Sequence, residues 1–200
     1  MVFSTLNSVI TFSSGGRVLK VRMHLKHKAG EKMFVDYAGK KLRYFDRESG
    51  EEHEVEVFVA ILGSSGLTYV EGSKSQKGED MLRSTERAIW YFGGSTAVIV
   101  PDNIKCVVSR SDPYDPEINP QFAEFAEYYG TVIIPARVRK ARDKALVENA
   151  VNLVYQRIYA ALRNRTFGSL EELNEAIWEQ LKIHNNRPMQ RLKISRRELS

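Results

Sequence analysis

The chain has one cysteine, Cys106, in 200 residues, which excludes a disulfide framework and any metal site built on several thiolates. It also lacks long apolar runs: none approaches the roughly 18 residues that a membrane span requires, so no membrane partner is expected. The opening stretch, MVFSTLNSVITFSSGG, has no basic n-region and does not read as a signal peptide. These absences point to a reducing, cytoplasmic setting. Two familiar site chemistries are missing as well. GSKSQKGED does not have the glycine, lysine and serine or threonine order of a phosphate-binding P-loop. His24 and His27 form an HxxH without a following glutamate or third ligand, which predicts surface or phosphate-facing histidines rather than zinc ligands. There is no internal repeat and no low-complexity tract.

Positive charge, by contrast, is present and segregated. Thirty Lys and Arg face 25 Asp and Glu, a net charge of +5. Arg17, Lys20, Arg22, Lys26, Lys28 and Lys32 stand against Glu31 alone, and Arg137 to Arg165 and the tail from Lys182 are similarly basic. The acidic counterweight is local, in DRESGEEHEVE. Such segregation favours a polyanionic partner. A hydrophobic share of 42% supplies one domain-sized core, so one globular unit with tails is expected.

KMFVDYAG reads as a short strand closed by Gly39, followed by KKLRYF, a turn at DRESGEE, and HEVEVFVAILGSS, whose Glu/Val alternation passes into a fully apolar run. GLTYVEG supplies a third strand. Between Ser75 and Phe92 the apolar spacing predicts a helix that stops at Gly93 and Gly94. TAVIVPDNIK then shows a strand without polar alternation, expected to be covered on both faces and ended by Pro101, which has no N–H to give. SRSDPYDPEINP should be an exposed irregular loop. A helix from Gln121 to Tyr129, a strand TVIIP, a basic loop ARVRKAR, a helix over about 144–164, and a last helix LEELNEAIWEQLKIHNN capped by Ser169 complete the order. Three antiparallel strands followed by alternating helices and strands predict an α/β mixed sheet flanked by helices. The aromatics Trp90, Tyr91, Phe92 and Trp178 are expected in the core.

Three acids stand out by position. Asp36 interrupts an apolar strand, where a carboxylate is seldom buried without a reason. Asp102 sits where a second apolar strand runs out. Glu148 lies near the start of a helix whose apolar face is drawn by Leu146, Ala150, Leu153, Val154, Ile158 and Ala161, and it projects away from that face. Each has a plain structural alternative: a carboxylate bonded to a backbone amide, an Asx-turn, or a pairing with Lys144. Taken together in a basic chain, they suggest oxygen ligands for a divalent ion.

FVDYAG, VPDN and RDKALVENAV resemble the catalytic core of DDE transposases and retroviral-type integrases. The series HKAGEKMFVDYAGK, VFVAILGSSGLTYVE, WYFGG, VPDNIK, DPEINPQFAEFAEYYGTVIIPARVRKARDKALVE and HNNRP narrows the resemblance to the large transposase subunit of bacterial insertion sequences that also encode an ATPase helper. It covers roughly residues 21 to 190. The resemblance implies a ribonuclease-H-like fold, with Asp36, Asp102 and Glu148 as catalytic, metal-binding acids. Asp143 is the rival to Glu148, but its expected place before the helix suits an N-cap.

The same resemblance implies Mg²⁺ or Mn²⁺, two ions bound together with DNA, and phosphoryl transfer in 3′-end cleavage and strand transfer. It implies no covalent protein intermediate. Its partners would be transposon-end and target DNA, further copies of the chain assembled on that DNA, and a separate ATPase helper, in the bacterial cytoplasm at the nucleoid. Arg137, Arg139, Lys140, Arg142 and Lys144 form a basic strip before Glu148 that would contact phosphates. Asn103 would steady the Asp102 loop. The expected organisation is a non-matching, poorly ordered leader or added edge strand over 1–20, a catalytic core over 21–188 and a basic tail over 189–200. Because the match starts near Val21 and the chain stops at RRELS, a truncated core is expected. The rival expectation is an inactive remnant that keeps only DNA-binding or oligomer-forming surfaces.

Overall fold

The computed structural model describes residues 5–6, 9–14, 17–22, 27–102, 104–110, 117–135, 141–190 and 192–200. In the leader, β1 (Thr5–Leu6), β2 (Val9–Ser14) and β3 (Arg17–Arg22) pair with one another in an antiparallel sheet of their own. They do not extend an edge of the main sheet, which was one of the two expectations for this stretch.

The main sheet begins with β4 (Lys32–Phe45), β5 (Glu52–Leu62) and β6 (Thr68–Ser73), an antiparallel meander. Gly39 does not close a strand as expected. β4 runs through it, with the register shifting between Ala38 and Leu42, and the bulge keeps both halves paired to β5. The Glu/Val alternation of β5 is exposed at its start and buried from Val55 onward, as its sequence predicts. α1 (Gly78–Phe92) follows and ends on Gly93, whose φ of 84° is open to glycine.

β7 (Val98–Pro101) lies parallel to β4, and β10 (Val132–Ile133) parallel to β7, giving the order β10-β7-β4-β5-β6. Only two residues of TVIIP are strand. Between β7 and β10 come α2 (Ile104–Val107), a small hairpin of β8 (Val108–Arg110) and β9 (Glu117–Ile118), and α3 (Pro120–Tyr128). The proline-rich stretch is therefore paired at both ends, and its middle, 111–116, lies outside the described residues.

α4 (Ala141–Val154) continues through a π-helical turn at Tyr155–Tyr159 into α5 (Ala160–Leu162). Asp143 is the third residue of α4, so it is not an N-cap. The buried side of this helical run is Val147, Ala150, Val154, Ile158 and Leu162, while Leu146 and Leu153 are half-buried and Ala161 is exposed. α6 (Leu170–Asn186) is capped by Ser169, whose side chain accepts the Glu172 N–H, and α7 (Arg196–Leu199) closes with a capping box. The Glu172 carboxylate accepts from the Gly168 N–H and pairs with Arg47.

Side-chain alternation assigns the two faces of the sheet. Val35, Ile99 and Pro101 meet Met81 and Thr85 of α1 and Phe122 and Phe125 of α3 on one face. Phe34, Val100 and Ile61 meet Val147 and Ala150 of α4 on the other. α6 covers that second face at its β6 edge, where Asn174 exchanges hydrogen bonds with the Gly72 backbone. Trp90 is 74% exposed, contrary to expectation, because the buried stripe of α1 is Met81, Ser84, Thr85, Ala88 and Ile89 and Trp90 projects from its far side. Trp178 is also exposed, with its Nε1 donating to the Val70 carbonyl. No helix among the described residues is long and apolar enough to cross a membrane.

Candidate active site

Asp36 and Asp102 owe their relation to the β4–β7 pairing. Phe34 pairs with Val100 and Val35 with Pro101 in parallel register, and the Asp102 N–H donates to the Val35 carbonyl at 3.0 Å. Extending that register by one residue sets Asp102 beside Asp36, on strands about 4.8 Å apart. Residues at matched positions of neighbouring strands project to the same side. Both acids therefore share the face of Phe34 and Val100, beneath α4. Asp36 is half-buried and its Oδ1 accepts the Tyr37 N–H at 2.8 Å, while Asp102 is exposed just beyond the strand end. Pro101, directed to the opposite face, ends β7 and lets the chain bend away at Asp102.

Glu148 reaches the same neighbourhood by helix packing. Val147, buried beside it, and Ala150 seat α4 on Phe34, Val100 and Ile61. Further along, the Lys40 N–H donates to Tyr155 Oη at 3.1 Å and Tyr159 Oη donates to the Lys40 carbonyl at 2.5 Å. Glu148 precedes Tyr155 by seven residues, about 10 Å of helix. Asp36 precedes Lys40 by four residues, about 13 Å of strand. Helix and strand run the same way, so Glu148 stands within a turn of the level of Asp36. Its side chain is exposed.

The structure thus sets two of the three acids side by side and leaves the third on the adjoining helix. Among the described residues no three Asp, Glu, His or Cys side chains converge closely enough to hold a metal ion. The donor chemistry nevertheless suits a divalent cation of the magnesium kind, which takes oxygen ligands and keeps several waters, so two carboxylates and substrate oxygens satisfy it. Asn103, Arg137, Arg139 and Lys140 lie outside the described residues. Arg142 and Lys144 fall in the first turn of α4. His27 packs edge-on against Phe34, and its imidazole fills the space above Gly63, where a Cβ would come within 3.0 Å of it.

Two arrangements were not legible in the sequence. Glu71, 1% exposed, receives both arms of Arg87 at 2.6 and 2.7 Å and the Tyr69 hydroxyl at 2.6 Å, tying α1 to β6. The second brings Arg157 and Arg196 onto His184, three residues before Arg187. HNNRP at 184–188 is one of the stretches that carry the resemblance, but no periodicity links it to Arg157.

No family model matches the chain. Among known proteins, it is 45% identical over 174 residues to a protein of Sinorhizobium fredii assigned as a transposase, covering 87% of this chain and 34% of that one. It is 28% identical over 156 residues to the transposase for insertion sequence element IS21 of Pseudomonas aeruginosa, covering 78% of the chain and 36% of the relative. The chain spans about a third of the length of the curated relatives it matches. Among solved structures, the HTLV-2 integrase catalytic core domain in complex with magnesium superposes with a TM-score of 0.58 at 17% identity, over 85% of this chain and 95% of that one. The mixed five-stranded sheet flanked by helices is the ribonuclease-H-like fold of integrase cores.

Proposed function

We propose that this chain, which belongs with the insertion-sequence transposases over the segment it shares with them, is a DDE-type polynucleotidyl transferase core acting on DNA, with Asp36, Asp102 and Glu148 as its acids. The observation that carries the reading is the parallel register of β4 and β7, which brings Asp36 and Asp102 to one face under the helix that bears Glu148. Fold and sequence relatives point the same way, and a non-catalytic remnant finds no support in the loss of any of the three acids.

Asp36 and Asp102 would hold a divalent ion from the sheet, and Glu148 would close on it from α4 when the DNA phosphate arrives. When bound, that ion supplies Lewis-acid polarisation of the phosphoryl group and a more acidic bound water. Both acids are tied to the sheet: the Asp36 carboxylate accepts the Tyr37 N–H, and the backbone N–H of Asp102 donates to the Val35 carbonyl. No Ser, Cys or Tyr nucleophile is required, because water, and later a DNA 3′-hydroxyl, attacks in line. The basic strip Arg137, Arg139, Lys140, Arg142 and Lys144 would contact phosphates leading to the site, and Asn103 would brace the Asp102 loop.

DNA ends, target DNA, further copies of the chain and a separate ATPase helper are the partners of this reading, which places the activity in the bacterial cytoplasm at the nucleoid. A nicking and strand-transfer assay with Mg²⁺ or Mn²⁺ tests it. Metal-dependent cleavage should be present in the unmodified chain and absent in Asp36→Asn. Cleavage that survives this substitution, or no cleavage with either ion, rejects it.

A further inference from the structure

HNNRP occupies 184–188, and neither the sheet nor the acid site accounts for all of it. Asn185 has a structural role: its amide nitrogen donates to the Thr68 carbonyl at 2.7 Å and the Tyr91 hydroxyl at 2.9 Å, and its oxygen accepts the Thr68 N–H. These bonds fasten the end of α6 to the start of β6. His184 is different. It is 2% exposed, and its Nδ1 lies 3.0 Å from Nη1 of Arg157. Arginine can only donate, so Nδ1 accepts and the imidazole carries its proton on Nε2.

Two guanidinium groups pack at this residue, Arg157 from the π-helical turn and Arg196 from α7, and the exposed Arg187 follows three residues on at the end of α6. Nη1 of Arg196 also lies 3.5 Å from the His184 carbonyl. Arg157 is held below the ordinary arginine pKa by burial and by Arg187, and Arg196 by burial and by Arg157. Elsewhere Arg43, Arg47, Arg83, Arg87 and Arg165 each sit against a glutamate. Among the described residues, Arg157, Arg187 and Arg196 form no ion pair with a carboxylate. Capping the end of α6 does not account for them, because a helix C-terminus offers only about half a negative charge against three positive ones. Arg157 and Arg196 are partly desolvated and Arg187 adds an exposed charge beside them; such a group favours a counter-anion, and the planar fork of arginine matches phosphate.

We infer that Arg157, Arg187 and Arg196 form a binding site for backbone phosphate of duplex DNA, distinct from the basic strip ahead of Glu148. The site rests on the DNA-handling reading above. Arg157 lies nine residues beyond Glu148 on one helical run, about 13 Å along its axis and about a third to half a turn around it, so the arginines face a different side from the acid. Phosphate contacts of this kind set the position of the duplex and read no sequence.

The test measures duplex affinity against salt concentration for the unmodified chain and for Arg157→Gln/Arg187→Gln/Arg196→Gln. The expected result is an affinity about tenfold weaker and a salt slope smaller by about 0.9 for each phosphate that the variant leaves unneutralised. The corresponding triple lysine variant, which keeps the charge, should retain most of the slope. Thermal unfolding of each variant separates weaker phosphate binding from a damaged fold, since relieving mutual repulsion should leave the melting temperature level or raised. A lower melting temperature with duplex binding unchanged overturns the site and makes the arginines a helix cap. Stabilisation by inorganic phosphate with no effect of the substitutions on duplex binding overturns it in favour of a small-anion site. Loss of polyglutamate binding with duplex binding intact overturns it in favour of an acidic protein segment. Asp36→Asn separates this inference from the catalytic one, because it should stop cleavage while still binding duplex. No duplex binding by the unmodified chain would reject both.

Discussion

The N–H of Asp102 donates to the carbonyl of Val35 at 3.0 Å, so Asp102 lies abreast of Asp36, the residue after Val35, on the parallel strand. The pair can therefore be tested without DNA. Mg²⁺ or Mn²⁺ at about 100 times its Kd should stabilise the unmodified chain by about 2.7 kcal/mol, roughly 5 to 10 °C in melting temperature for a chain of this size. Asp36→Asn and Asp102→Asn should each abolish most of that shift. An equal shift in all three proteins would place the ion elsewhere.

Arg87 and Tyr69 are the partners of the buried Glu71 carboxylate. Arg87→Ala leaves that charge inside with one hydroxyl, and breaking such a pair costs about 3 to 5 kcal/mol. Because Arg87 is half-exposed, the lower end is expected. Tyr69→Phe should cost about 2 kcal/mol, the usual cost of losing a hydrogen bond to a charged group. Urea denaturation measures both, and a destabilisation below about 1 kcal/mol for Arg87→Ala would mean that water replaces the guanidinium.

His184 is pushed down to about 3 by burial and by Arg196, Arg157 and Arg187. Its folded pKa is thus below the unfolded value of about 6.5, and between these two values the unfolded chain binds the extra proton. Stability from this group is fully present above about pH 6.5 and is lost as pH falls towards 3, by roughly 4 kcal/mol at most. His184→Gln keeps an acceptor for Arg157 and removes the titration. The difference in stability between the two proteins should therefore change with pH over that window and be flat above it.

Tyr155 and Tyr159 clamp the β4 bulge at Lys40 from the π-helical turn, and π turns often occur at functional sites. Replacing both with phenylalanine removes two hydrogen bonds, each worth about 1 kcal/mol, and loosens α4 against β4. Cleavage should slow at saturating DNA while duplex affinity stays unchanged. Weaker DNA binding at an unaltered cleavage rate would assign the tyrosines to the DNA interface instead.

Several elements were legible because their signals are local. Ser169 followed by an apolar period of 3.6 marked α6 to the residue, and Gly93 marked the end of α1. The Glu/Val alternation of β5 recorded which half of the strand meets water. Gly39 misled because a glycine that interrupts a strand signals either an end or a bulge, and only pairing with β5 and the clamp from Tyr155 and Tyr159 select the bulge. Trp90 misled because its bulk suggests burial, although its angle from Ala88 on the helix already turns it outward.

Sequence alone determined the ingredients: the order of strands and helices, the isolated acids in apolar contexts, and the segregation of basic charge. These follow from residue type and from periods of two and 3.6, which need no knowledge of distant neighbours. Tertiary structure decided which ingredients meet. Asp36 and Asp102 are 66 positions apart in the sequence, and only the parallel register of β4 with β7 puts them side by side. Arg157 comes near Arg187 and Arg196 only because α6 packs back onto the π-helical turn and α7 onto α6. Register and helix packing are fixed by burying one continuous core, a property of the whole chain that no local stretch contains.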